Sequence, residues 1–391
     1  MKDSVPTPSN EPVPVPLLDV VQGNEPLRDQ VLEAITKVVD SGWFLNGPDC
    51  RELEAEVARR CEVPAAVSCA SGSDALLLAM MALEIGAGDE VILPSFTFFA
   101  TASCVWRTGA TPVFVDIDPV TFNLDPKCVE AAITRATKAI IPVHLFGQCA
   151  EMDAINELAE RHNLFVVEDA AQAIGARYQG RAAGAWGHIG CFSFYPTKNL
   201  GGMGDGGMLT ARDEELAQRL RLFAAHGMEP RYYHQVVGIN SRLDAMQAAA
   251  LRVKMTKLDE WNSSRGDNAA RYDQLFKDAG MDNLLVLPKA TEDQLHVWNQ
   301  YTVRVPDGHR TPLRAYLAEQ KVGTEIYYPV PLHRQACFQS LGYEEGSLPI
   351  TERAAEEVLS LPIFPELTAE QQTTVVDAIT RYCSQQGRHA A

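Results

Sequence analysis

Positive charge is in short supply. Lysine and arginine number 34 against 51 aspartates and glutamates in 391 residues, for a formal net charge of −17. Such a surface repels nucleic-acid backbones and anionic headgroups, so neither nucleic acid nor a membrane is expected as a partner. Paired cysteines are missing as well. The nine cysteines are scattered with no Cys-x-x-Cys spacing, which supplies neither a disulfide framework nor a zinc-ligand pattern, and no metal is expected. Long apolar runs are also absent: the longest, such as Ala75 to Leu83, fall well short of the roughly 20 residues that a bilayer-spanning helix takes. No basic segment followed by an apolar stretch is visible near Met1, so no secretory signal is read. A soluble, cytoplasmic protein with reduced thiols is the expectation.

What is present is an ordinary globular composition. Hydrophobic residues at 46% and charged residues at 22%, with 27 Gly and 23 Pro, exclude collagen-like, disordered and coiled-coil classes. The length suits one large and one smaller unit. Residues 1–16, rich in Pro, Ser and Asn, read as a mobile tail. Asn24 is placed to cap a helix carrying Leu27, Val31, Ile35 and Val38 at helical spacing, and a second helix runs through Leu53 and Val57. Nearly continuous apolar runs follow at Glu90 to Leu93, Pro112 to Val115, Ala139 to Val143 and Leu164 to Val167, with helical stretches such as Met152 to His162 between them. That rhythm predicts an α/β fold, a mostly parallel sheet flanked by helices, with ligands bound beyond the carboxyl ends of the strands. A helical pattern through Met246, Ala249, Leu251, Met255 and Leu258 then leads away from the sheet. From about Asn283 the mixture of extended Tyr301 to Val305 with helices around Leu313 and Val375 predicts a smaller C-terminal α+β domain. The expected division is a large domain over 17–260 and a small one over 261–391.

Three local features carry chemistry. The run Leu164 to Val167 ends in Glu168-Asp169-Ala170-Ala171-Gln172, placing acids where such a sheet presents its ligands; Asp169 reads either as a ligand contact or as the cap of the next helix. Lys198 stands between a short aromatic strand and the glycine-rich turn that begins at Gly201. It is either an exposed loop lysine or one whose burial cost is removed by a Schiff base to an aldehyde. Ser71-Gly72-Ser73-Asp74, directly before an apolar helix, offers free backbone N–H groups to a phosphate, or simply caps that helix. Together an amine, a strand-end carboxylate and a phosphate cradle are what pyridoxal phosphate requires. Gly202 to Gly207 also matches the dinucleotide fingerprint Gly-x-Gly-x-x-Gly, but Met208 to Ala211 reads as a strand where that fingerprint needs a helix.

These residues resemble the DegT-type pyridoxal-phosphate-dependent sugar-nucleotide aminotransferases, which have the aspartate aminotransferase fold. The likeness runs from about Pro16 onward and rests on Gly47-Pro48, Ser71 to Leu76, Pro94 to Phe98, Glu168 to Gln172, Ser193 to Gly202, Gly238 to Asp244 and Leu359 to Pro362. The resemblance implies that Lys198 bonds the cofactor and shuttles the proton, that Asp169 pairs with the pyridine nitrogen, and that Gln172 donates to the ring's phenolic oxygen. It implies that Phe98 stacks on the ring, with core packing beside Phe96 and Phe99 as the alternative. Gly72, Ser73 and Ser193 would form the phosphate cradle, and Asn240 would reach the phosphate of the neighbouring subunit in a homodimer with shared sites. Arg242 and His333 are candidate substrate contacts, His333 being otherwise a surface or interface residue.

Retention of Lys198, where related dehydratases carry histidine, implies amino-group transfer. The donor implied is glutamate and the acceptor a nucleotide-linked ketosugar of amino-sugar or polysaccharide biosynthesis. Asn240-Ser241-Arg242 resembles members acting on 3-keto sugars, such as UDP-2-acetamido-3-oxo-glucuronate, while dTDP-linked 3-keto sugars use similar enzymes. A non-catalytic regulator that binds the cofactor and a nicotinamide-dependent oxidoreductase are the rival readings.

Overall fold

The computed structural model describes residues 14–281 and 285–389. Near its start, α1 (Val20–Asn24) passes through a 3-10 turn at Glu25–Leu27 directly into α2 (Arg28–Ser41). The expected cap at Asn24 is therefore corrected. The chain is already helical there, the Asn24 side chain makes no capping bond, and Asp19 does the capping by accepting from the Gln22 N–H at 2.9 Å. Then α3 (Pro48–Cys61) begins on a proline, whose missing N–H costs nothing in a first turn.

Strands and helices next alternate as the apolar runs predict: β1 (Ala65–Cys69), α4 (Gly72–Ala82), β2 (Glu90–Pro94), α5 (Ala100–Arg107), β3 (Thr111–Val115), α6 (Pro126–Ala132), β4 (Thr137–Ile140), α7 (Met152–His162) and β5 (Phe165–Asp169). A small hairpin of β6 (Arg177–Tyr178) and β7 (Arg181–Ala182) precedes β8 (Ile189–Ser193), β9 (Gly207–Ala211) and α8 (Glu214–Ala224). Seven strands form one sheet in the order β1-β9-β8-β5-β4-β2-β3. Six run parallel, and β9 runs against both of its neighbours. Side chains alternate across it, so Val91 and Leu93 enter one buried cluster and Ile92 the other. Burial on both faces is why these strands carry no polar alternation.

The helical pattern past Leu243 resolves into α9 (Ala245–Met255) and α10 (Leu258–Asp278). Leu258 packs into a sheet-side cluster, whereas Ala269, Tyr272 and Phe276 belong to a third core. That core lies among β11 (Tyr301–Arg304), which follows the short β10 (Gln294–Leu295), then α11 (Arg310–Glu319), β12 (Val358–Leu361) and α13 (Ala369–His389), with β11 and β12 paired antiparallel; α12 (Pro349–Glu357) instead packs Ala354 and Ala355 in a further cluster with Phe96 and Phe146. The α+β character expected of the C-terminal part is present. A boundary at 260 falls inside α10, because one helix serves two cores and no linker separates them. The N-terminal limit differs too. Val15 is 0% exposed, donates its N–H to the Lys321 carbonyl at 3.0 Å and packs in the C-terminal core, so the chain is built in from Val15. The rest of the expected tail, residues 1–13, and the transition at Asn283 lie outside the described residues.

Candidate active site

The parallel strands all end on one rim of the sheet, and that rim gathers most of the residues singled out above. Pairing of Cys69 with Gly207 and of Gly207 with Ser193 aligns the end of β1, the start of β9 and the end of β8 in one row. Directly above it begins α4. Its cap, Ser71, accepts from the Asp74 N–H at 3.1 Å, and a Cβ on Gly72 would stand 2.7 Å from the Ser193 Cβ, so only glycine lets the two turns approach. The Asp74 carboxylate is engaged by the Ser241 hydroxyl, which donates to its Oδ2 at 2.6 Å. What remains at the rim are the N–H groups of the first turn, small hydroxyls on exposed Ser73 and partly buried Ser193, and the positive end of an 11-residue helix. That set suits a phosphate.

Two adjacent carboxylates at the end of β5 have different fates because strand alternation points them oppositely. Glu168 faces inward. Its Oε2 accepts from His144 Nε2 at 2.8 Å and Gly184 N at 2.7 Å, and its Oε1 accepts from Trp186 N and Gly187 N, both at 2.7 Å. The Ala150 N–H donates to His144 Nδ1 at 3.1 Å, which assigns the ring proton to Nε2. Asp169, only 5% exposed, faces the rim and accepts just one bond at each oxygen, from Thr101 Oγ1 at 2.7 Å and from Ala171 N at 3.2 Å. Burial pushes its carboxyl above the usual aspartate range, against the pull of those bonds and of the Lys198 charge. An acid that is buried, short of donors and reluctant to ionise is poised for a cationic N–H partner. The capping alternative for Asp169 loses ground, since no helix follows it.

Lys198 answers from the loop after β8. Its amine is partly buried, makes no hydrogen bond or ion pair among the described residues, and has its pKa brought down to about 8 by burial, the Asp169 charge acting in the opposite sense. A lysine so placed is suited to act as a nucleophile, since burial leaves more of its amine neutral than on a solvated surface. Gln172 spends its Oε1 on the Phe146 N–H at 2.6 Å, and its Nε2 donates to the Tyr328 hydroxyl at 3.3 Å. Phe98 is 57% exposed while Phe96 is in the core, so the core alternative for Phe98 falls; its ring centroid lies 6.2 Å from that of Tyr328. These are flat surfaces open to a flat ring.

Three expected contacts stand apart. Asn240 is exposed, and Arg242 is partly buried without an ion pair or hydrogen bond among the described residues; the intervening Ser241 hydroxyl, which also accepts from the Ala70 N–H at 3.1 Å, fixes both beside the start of α4. His333 requires a correction. It is neither a surface residue nor free to touch a sugar: it is 2% exposed, with Nδ1 on the Ser95 hydroxyl at 2.7 Å and Nε2 on Glu352 at 3.1 Å, and burial lowers its pKa. It ties the end of β2 to α12. Thr101, Tyr328 and the His144–Glu168 pair were not anticipated. The Tyr327-Tyr328-Pro329 run close before His333 was a visible signal; Thr101 carried none, since only the turn into α5 brings it to Asp169. The glycine run from Gly202 leads into β9 and not into a helix, which removes the structural basis for a nicotinamide site.

The model of the DegT/DnrJ/EryC1/StrS aminotransferase family matches residues 26–380. The chain belongs to that family. A protein of Geobacillus stearothermophilus named "Pleiotropic regulatory protein" is 51% identical over 368 residues, 94% of this chain and 98% of the relative. UDP-N-acetyl-3-dehydro-alpha-D-glucosamine 3-aminotransferase of Acidithiobacillus ferrooxidans is 46% identical over 367 residues, 94% of this chain and 97% of the relative. A crystal structure of S. venezuelae DesV in complex with a ketimine intermediate superposes with a TM-score of 0.90 at 47% identity, covering 94% of this chain and 98% of that one. Solved structures of the same fold include forms with pyridoxamine phosphate and pyridoxal phosphate. In this aminotransferase no helix among the described residues is long and apolar enough to cross a membrane, no group of described residues could hold a metal ion, and all nine cysteines are free.

Proposed function

We propose that this aminotransferase holds pyridoxal phosphate on Lys198 and transfers the amino group of glutamate to the C3 carbonyl of a UDP-linked 2-acetamido sugar. The carrying observation is that a Lys198 amine without a partner among the described residues lies with the donor-poor Asp169 on the same rim as the glycine-lined start of α4. The donor set fits the cofactor part by part: N–H groups and hydroxyls for the phosphate, a carboxylate for the ring nitrogen, an amide for the ring oxygen and an exposed aromatic for the ring face. When bound, the cofactor supplies an aldehyde to carry the amino group and a ring that withdraws electrons from the reacting carbon. The chain supplies the rest. Asp169 holds the ring nitrogen in its protonated form, and Lys198 Nζ takes a proton from the donor's α-carbon and returns one at the sugar carbon. Phe98 and Tyr328 exclude water from one side.

The acceptor rests on the resemblance of Asn240-Ser241-Arg242 to members acting on 3-keto sugars, and on the substrate named for the Acidithiobacillus relative. Arg242, free of any acidic partner among the described residues, is suited to a pyrophosphate or sugar oxygen, and gives an acidic protein local positive charge. A second copy is part of the proposal. Trp43, Phe44, Leu45, Tyr232, Tyr233 and Val237 are exposed apolar groups that another subunit would cover, bringing Asn240 to its neighbour's phosphate.

The test is a glutamate-dependent assay across UDP- and dTDP-linked 3-keto and 4-keto sugars, with 6-hydroxyl and 6-carboxylate forms of each, read by product mass. Amination of the UDP-linked 3-keto sugars is expected; activity confined to 4-keto substrates overturns the acceptor. Retained cofactor with no glutamate half-reaction would favour a regulatory role.

A further inference from the structure

We infer that Asn299 is a positioning residue which, through Asn199, fixes Lys198 against the opposite wall of the site that carries Gln172. The inference rests on the reading of Lys198 as the cofactor-bearing lysine. Asn199 follows Lys198 directly, is buried, and has its amide fully engaged. Its Nδ2 donates to Asn262 Oδ1 at 2.7 Å and to the Val297 carbonyl at 2.8 Å, and its Oδ1 accepts from Asn299 Nδ2 at 2.7 Å. Asn262, on α10, is itself steadied by donating to the Ile174 carbonyl at 3.1 Å.

Asn299, 6% exposed, lies just before β11 and grips both sides of the site at once. Its side chain holds the lysine's loop. Its backbone N–H donates to the Phe146 carbonyl at 2.9 Å, and the Phe146 N–H in turn donates to Gln172 Oε1 at 2.6 Å. Beside this link the Val297 N–H donates to the Gly147 carbonyl at 3.0 Å; Gly147 has φ +102°, and a Cβ there would lie 2.9 Å from the Val297 side chain and 3.1 Å from the Asn299 nitrogen. The crossing is therefore built for close approach. The Asn299 Oδ1 is left buried without a partner. Orienting the amide to keep its donor on Asn199, at the cost of an unpaired acceptor, marks that contact as the one the arrangement maintains. Gln172 and Asn199 are thus linked through Asn299, with the Val297 backbone bridging Asn199 and Gly147 beside it, and a shift of the C-terminal unit is passed to the lysine's loop.

The position matters because Lys198 owes its low basicity to burial, with Asp169 as the charged group facing it. Full-length Asn299→Ala, Asn299→Leu and Asn268→Ala proteins are compared with the parent. Asn268 is equally buried in the C-terminal unit but donates to the Phe364 carbonyl, away from the lysine's loop, and so reports a purely structural loss. Acetylation of Lys198 by acetic anhydride in the cofactor-free protein is followed against pH by peptide mass, alongside the pH midpoint of the visible absorbance after loading with pyridoxal phosphate. In both Asn299 variants the Lys198 acetylation midpoint should rise from about 8 by ~1 unit toward the ordinary lysine range, as water reaches the amine. The absorbance midpoint should shift in the same two proteins, and Asn268→Ala should leave both unchanged. Asn299→Leu keeps the branched shape and the number of side-chain heavy atoms without the amide, and decides the matter if the alanine protein does not fold. An unchanged midpoint in Asn299→Leu, or an equal shift in Asn268→Ala, overturns the inference. A parent without cofactor absorbance overturns the reading of Lys198 instead, and the acetylation midpoints still judge Asn299.

Discussion

Side by side at the end of β5 are a closed region and an open one. Around Glu168 every acceptor site is met by a donor from His144 or from the backbone of residues 184–187, and nothing more can bind. Around Asp169 the carboxylate is short of donors, the Lys198 amine has no partner among the described residues, and the first N–H groups of α4 point outward. The same residue class, one position apart, builds structure where its bonds are completed and builds a site where they are withheld. Incomplete satisfaction weakens the empty protein, and the ligand is what supplies the missing bonds.

Substitutions on the two sides should therefore fail in opposite ways. The largest effect on chemistry is expected from Lys198→Ala: loss of the visible cofactor band and a fall of at least ~10³-fold in kcat, about 4 kcal/mol, with a melting temperature equal to or above the parent's because a buried unpaired amine has gone. Glu168→Ala should do the reverse, lowering stability by ~3 kcal/mol in denaturant titration, since His144 and three backbone N–H groups lose their acceptor at once. An Lys198→Ala protein that melts well below Glu168→Ala would break the contrast.

Asp169→Asn comes next, with a fall of ~10²-fold in turnover that reflects a ring nitrogen no longer held protonated. Because burial raises the Asp169 carboxyl pKa, its ionised form disfavours the folded state above the ordinary aspartate range. The cofactor-free Asp169→Asn protein should consequently melt no lower than the parent at pH 7, and calorimetry of the two checks this. Gly72→Ala, which drives a methyl group into Ser193, should weaken pyridoxal phosphate binding by ~1–2 kcal/mol in a fluorescence titration. The smallest effect is a pH profile. Only the neutral amine attacks an aldehyde, so the rate of cofactor loading should climb with pH and level off above about 8, earlier than for an ordinary lysine near 10.5.

Much of this was legible because both faces of the sheet are buried. Continuous apolar runs mark β2 to β5, and the residues that close such a run reach the rim, as Asp169 does two places past Val167; Lys198 lies in the loop after β8, five residues past Ser193. Which of Glu168 and Asp169 faces the ligand follows from alternation but needs the direction of one strand to decide it. His333 was misjudged because its partners, Ser95 and Glu352, lie 238 and 19 residues away, and no local pattern announces a buried histidine already bonded at both nitrogens. Tyr328 and Asn299 escaped for the same reason of distance. The boundary expected at 260 falls inside α10, a helix shared by two cores, where no linker composition marks a division.

The lone antiparallel strand sets an order of assembly. β1 touches the sheet only through β9, about 140 residues later in the chain, whereas β2 to β5 pair among near neighbours. Pairing across so long a loop is slow compared with local contacts. During synthesis the middle of the sheet can close while β1 waits, so the row joining Gly72, Ser193 and Gly207 is completed last. On the proposed function, the rim that would cradle the phosphate is complete only once the sheet is whole, and cofactor binding would report on finished folding rather than guide its early steps.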